Sequence, residues 1–188
     1  MANHSDQPTN GWMSALQLMR IPFSVFLMPV FWFALIPIEV KVWNAVLAFV
    51  AIHIFLYPAS NGYNSWFDRD EESIGGLKSP PKVTRELWYF IIAFDFLSLL
   101  VASAVNPVFA AMLFIYMLVS KAYSYDRIRL KKYPVIGALT VVIFQGFWIY
   151  IAVQSAAADS AFLSMNNILL GIVSSLFLLG SYPMTQIY

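Results

Sequence analysis

Charge is confined to a few short places in this chain, and the gaps between them decide what it can fold into. Residues 21–38 carry no charge and are bracketed by Arg20 and Glu39. Residues 42–59 are uncharged, with His53 the most polar member. Residues 87–105 are apolar except for Asp95, and residues 107–120 follow the turn-forming pair Asn106-Pro107. Residues 133–153 and 160–188 are apolar runs, the last without charge to its end. A membrane-crossing helix needs about 20 mostly apolar residues. These runs predict an all-α integral membrane protein, a bundle of about six transmembrane helices. Composition agrees: 60% of residues are hydrophobic and 11% charged, against about 25% charged in a soluble domain. The first run has no clear small-residue cleavage site after it, which marks a retained helix rather than a signal peptide.

Six crossings place the N-terminal segment 1–20, the loop 60–86, the loop 121–132 and the C-terminus on one side. Residues 21–188 form a single transmembrane domain. Of the eleven Lys and Arg residues, only Lys41 falls on the other side. Basic residues concentrate on cytoplasmic loops, so the N-terminus and both large loops are assigned to the cytoplasm, in a cell or inner membrane. The net charge of +1 gives no reason to expect nucleic acid as a partner, and the chain lacks cysteine, which excludes disulfides, thiol nucleophiles and cysteine metal sites.

The loop 60–86 holds most of the chemistry. Continuing the second helix through it puts Asn64 at zero, Asp68 at about 40°, Asn61 at about 60°, Glu72 at about 80° and Glu71 at about −20°. Two amides and three carboxylates then share one stripe, and Gly75-Gly76 ends the helix. Lys78-Ser79-Pro80-Pro81 runs extended, and Thr84 caps a third helix with Glu86 near its positive end. Clustered carboxylates repel, and a hard divalent cation relieves that. Magnesium takes oxygen ligands and commonly binds one or two carboxylates together with phosphates. The competing reading is a solvated acidic loop balanced by its own Lys and Arg, but amides at the membrane end are costly unless used.

The second loop holds Lys121, Arg127, Arg129, Lys131 and Lys132. It suits a phosphate clamp, or an anchor on anionic lipid. Two polar groups lie at membrane depth. Asp95 sits about 12 Å into the third span and is a functional candidate by position. His53 reads as a hydrogen-bonded core histidine, and Gln145-Gly146 as interhelical packing.

Asn64-x-x-x-Asp68-x-x-x-Glu72 at the end of the second span resembles the first aspartate-rich motif of the UbiA superfamily of intramembrane prenyltransferases. Tyr123-Ser124 and Arg129-Leu130-Lys131 resemble that family's next cytoplasmic loop. Ser65 stands where the family pattern has an aspartate, and Glu72 where it has another. The resemblance implies that this chain corresponds to the first part, about two-thirds, of a nine-helix fold, and that it stops at Tyr188 before a second acidic motif. It further implies prenyl transfer from a prenyl diphosphate to an acceptor, usually aromatic. Magnesium would be held by Asn64, Asp68 and Glu72, the catalytic set. Asn61, Lys78, Arg85, Arg129 and Lys131 would meet the diphosphate. Two rival readings are a transporter subunit using Asp95 and a non-catalytic membrane fragment that needs a partner half. Diphosphate synthases of the soluble type are disfavoured, because no Asp-Asp-x-x-Asp occurs.

Overall fold

The computed structural model describes residues 10–158 and 162–185. Part of the expected 1–20 segment and both ends of the expected sixth span lie outside those residues. The described chain forms six helices: α1 (Gly11–Leu35), α2 (Val42–Asp68), α3 (Arg85–Val105), α4 (Pro107–Ser124), α5 (Pro134–Ala157) and α6 (Met165–Thr185). The first five are long and apolar enough to cross a membrane, and α6 is apolar over Met165–Gly180. No named strand occurs among the described residues. The all-helical bundle expected from the charge map is what forms.

Helix α1 begins at Gly11, well before Arg20, and Asn10 caps it by accepting the Trp12 N–H at 3.2 Å. It is interrupted at Arg20, whose φ is 48°, and tightens into a 3₁₀ segment over Ile21–Leu27. Pro29 has no N–H for the Val25 carbonyl, which accepts from Met28 instead, so the end of the segment stays tight. In α2 the proline effect runs the other way. Pro58 excludes the ordinary bond to Ile54, and the preceding turn widens to a π-helix over Val50–Leu56.

Helix α5 widens for a different reason. Its π segment spans Val142–Trp148 and has no internal proline. Here Ser175 of α6 inserts its hydroxyl, which accepts the Phe147 N–H at 2.9 Å and donates to the Val142 carbonyl at 2.9 Å. A side chain thus bridges the two backbone groups that a π-turn would pair. Gly146 permits this approach, because a Cβ there would stand 2.7 Å from the Ser175 Cα. The expectation of small-residue packing at Gly146 holds. Gln145 instead faces a cavity.

At the end away from the acidic loop, polar side chains tie the connections together. Asn106 caps α4 by accepting the Phe109 N–H at 2.8 Å, and it donates to the Ser155 carbonyl at 2.9 Å. Buried Gln154 donates to the Ala34 carbonyl and accepts from Asn167 at 3.1 Å. Between the ends, one apolar cluster gathers around Phe31, Ile52, Leu113 and Tyr150, and a second around Leu18, Met19, Leu87 and Ile91. Lipid is as apolar as these side chains, so their contribution comes from close packing rather than from escape from water.

Candidate functional site

The stripe along α2 forms as far as Asp68. There the helix stops, because Arg69 turns left-handed at φ 50° and its N–H bonds the Ser65 carbonyl at 3.0 Å. Continuing the helix would have stacked Asp68, Asp70, Glu71 and Glu72 on its negative end. A left-handed residue other than glycine costs about 1–2 kcal/mol, and dispersing those charges offsets part of it. The expected continuation of the helix through Glu72 to Gly75-Gly76 therefore does not occur. Those glycines form a small hairpin instead, with Ile74 and Leu77 exchanging backbone bonds at 2.9 and 2.8 Å.

The α4–α5 connection folds back onto this helix end. A left-handed Arg129 (φ 44°) and a 3₁₀ turn over Leu130–Lys131–Lys132 aim two cations at α2. Gly137 lets the first turn of α5 close on that turn, since a Cβ would lie 3.1 Å from the Lys131 Cα. The Lys131 ammonium bridges both oxygens of the Asp68 carboxylate and donates to Asn64 Oδ1 at 2.8 Å. Arg129 reaches Asp68 at 3.3 Å and Asp126 at 2.9 Å. Ser124 donates to Asn64 Oδ1 at 2.7 Å.

The expected site residues thus divide. Asn64, Asp68, Arg129 and Lys131 come together, with Asn61 one turn deeper on the same helix face. Glu72, Lys78 and Arg85 are exposed, and among the described residues none of them bonds to that cluster. Asp70 joins its field. Partial desolvation, then the Asp68 charge, raise the Asp70 carboxyl above its ordinary value, while Lys131, Arg20 and Arg129 oppose the rise.

Two residues of this cluster escaped sequence reasoning. Ser124 was noted only as part of a loop motif. Arg20 looked like the bracket of an apolar run, yet its guanidinium donates to Asn61 Oδ1 and to the Gly75 carbonyl, both at 3.4 Å, and lies over the Phe23 ring. Its place at the edge of the first uncharged run was the only available signal.

Below the cluster lies a cavity of about 570 Å³ between α1, α2, α4, α5 and α6. Arg20, Asn61, Asn64 and Ser124 line one end, and Leu27, Tyr57, Tyr116, Phe144, Gln145 and Phe177 are among the residues that line the rest. A charged, hydrogen-bonding end and an apolar, aromatic interior suit an elongated amphiphile with an anionic head.

The oxygens of this cluster suit a hard cation. Asn64 Oδ1 and both Asp68 oxygens converge on one positive centre, the Lys131 ammonium, which stands in for such an ion. No group of three or more His, Cys, Asp or Glu suited to a metal exists among the described residues. One carboxylate and one amide would leave most of the coordination to water and phosphate, which magnesium tolerates.

The two polar groups at membrane depth lie elsewhere. Asp95 pairs with Lys121 of α4 at 2.7 Å, and that ammonium also sits 4.7 Å from the centre of the Tyr63 ring. Neither residue lines the cavity. A transporter built on Asp95 loses its main support, because a helix-bridging role uses the acid. His53 is fully buried, paired through Nδ1 with the Ser24 carbonyl at 3.2 Å and ringed by Phe31, Phe49 and Tyr57. It is the core histidine expected.

A family model described as the UbiA prenyltransferase family matches residues 26–186. Neither a curated protein nor a solved structure matches the chain.

Proposed function

The chain belongs to the UbiA prenyltransferase family, and from that premise we propose that it binds a prenyl diphosphate with its head at the Asn64–Asp68–Lys131 cluster and its tail in the cavity. The observation that carries this reading is the junction of the two, since the residues lining one end of the cavity belong to the charged cluster or bond to it. The acceptor, by family chemistry, is an electron-rich group such as an aromatic ring. Positive-inside asymmetry assigns the cluster end to the cytoplasm.

Asn64 and Asp68 are the residues that would hold magnesium, with Glu72 as an outlying candidate. When bound, the ion supplies Lewis-acid stabilisation of charge on the departing diphosphate. The protein's own part is as follows. Arg20, Arg129 and Lys131 share the charge that develops as the allylic carbon–oxygen bond breaks and its electron pair leaves with the diphosphate. Tyr57, Tyr116 and Phe144 offer aromatic faces beside the carbon that turns cationic, a favourable contact for positive charge. The apolar wall keeps water from that carbon until the acceptor attacks it, after which the acceptor ring releases a proton.

Limited trypsin digestion of the full chain in detergent tests this reading. The 69–84 segment contains exposed Lys78 and Lys82. Magnesium with geranyl diphosphate is expected to slow cleavage there, and magnesium with geraniol is not. Unchanged cleavage with the diphosphate would count against a head group at this end.

Orientation has a separate test, made simple by the absence of native cysteine. Ser79→Cys is expected to react with an impermeant maleimide only from the cytoplasmic side, and Glu39→Cys only from the opposite side. The reverse pattern would invert the topology.

A further inference from the structure

Three cations stand around the end of the cavity, and their states differ. Lys131 is saturated by Asp68 and Asn64. Arg129 is shared between Asp68 and Asp126. Arg20 has no carboxylate within ion-pair distance among the described residues. Its two hydrogen bonds go to neutral oxygens, and both are long at 3.4 Å against a usual 2.9–3.0 Å. Its Nε is buried without a partner. Asp70 and Asp68 act on it only through space. The backbone beneath it is left-handed at φ 48°, a conformation that disfavours any side chain. A partly buried cation whose direct partners are two neutral oxygens and the Phe23 ring keeps capacity for a counter-charge from outside the fold.

Resting on the reading of the preceding subsection, we infer that the anion site has two parts, in which Arg20 binds the diphosphate without a metal and Lys131 and Arg129 join only when a divalent cation takes over Asp68. The reason is charge accounting within the cluster. Lys131 cannot offer its ammonium to a phosphate while it neutralises Asp68, but a divalent ion on that carboxylate would release it. Arg20 needs no such release. Its planar fork also suits two phosphate oxygens at once, whereas Lys131 acts as a point charge.

The two parts separate in a binding measurement on the full chain in detergent micelles, with radiolabelled geranyl diphosphate and with geraniol, in EDTA and in magnesium. The wild-type chain is expected to bind geranyl diphosphate in EDTA and more tightly in magnesium. Arg20→Gln should weaken binding in EDTA by at least about tenfold, the loss expected for a hydrogen bond to a charged group, and should leave geraniol binding unchanged. Arg20→Lys should recover part of the loss. Asp68→Asn, which releases Lys131 and Arg129 without a metal, should bind at least as tightly as the wild-type chain in EDTA and lose the gain from magnesium.

Wild-type affinity in EDTA for Arg20→Gln would overturn the inference, as would wild-type binding that appears only with magnesium. So would a variant that loses geraniol along with the diphosphate, since Arg20 would then shape the cavity rather than read an anion. If the wild-type chain binds geranyl diphosphate in neither condition, the proposed function falls and this inference falls with it.

Discussion

Replacing Asp68 with Asn is expected to abolish the rise in prenyl diphosphate affinity on adding magnesium, a rise of at least about tenfold, the scale on which even outer-shell partners of a metal act. Among the described residues, Asp68 is the one carboxylate that both Lys131 and Arg129 contact. Its side chain is 14% exposed and that of Lys131 is 17% exposed. Without the carboxylate charge, Lys131 is left with neutral amide oxygens, and the turn that carries it loses its ionic tie to α2. Stability should fall as well, by roughly 2 kcal/mol, the scale of losing hydrogen bonds to a charged group. A magnesium titration of geranyl diphosphate binding reads the first effect, and chaotrope unfolding in mixed micelles reads the second. An Asn variant with a full magnesium response would remove Asp68 from the metal's ligands.

Asp95→Leu should destabilise the bundle by about 3 kcal/mol, the lower end of what breaking a buried ion pair costs. The change strands the Lys121 ammonium against the Tyr63 ring, with its counter-ion gone. Asp95→Leu combined with Lys121→Met should recover most of that loss, because apolar side chains suit this depth better than a lone charge. The same unfolding assay measures both. Geranyl diphosphate binding should survive in the double variant, since neither residue lines the cavity. A double variant that is stable yet unable to bind would return Asp95 to the functional set.

Much of this architecture was legible in the charge pattern. Long uncharged runs leave the backbone no alternative to helix in lipid, so the six elements and the apolar interior followed from composition and spacing. The amide and acid spacing from Asn61 to Asp68 also held, because a helical period is fixed wherever the helix continues. Glu72 did not follow it, since the helix end depends on a left-handed Arg69, and arginine gives no sequence signal for that conformation. Arg129 and Lys131 were found because basic residues were dense in one loop. Arg20 was not, because it stands alone in sequence and meets its neighbours only through packing. The same holds for the Asp95–Lys121 pair, whose partners sit on different helices and share no local spacing.

The hydroxyl of Ser175 wedged into α5 has a consequence for anyone mapping that helix. A turn closed at five residues instead of four holds about one extra residue, and one residue is worth about 100° of rotation. Helix α5 is therefore two helical wheels in series with a phase jump between them. Before Val142 the wheel has one orientation, and from Ile149 onward, where the helix is almost wholly buried, it has another. A scanning experiment drawn on a single wheel would assign lipid-facing and cavity-facing positions wrongly in one half. Deleting one residue within 142–148 would bring the halves into phase by turning one of them against its neighbours, so length in this segment is as much a part of the binding surface as the side chains it carries.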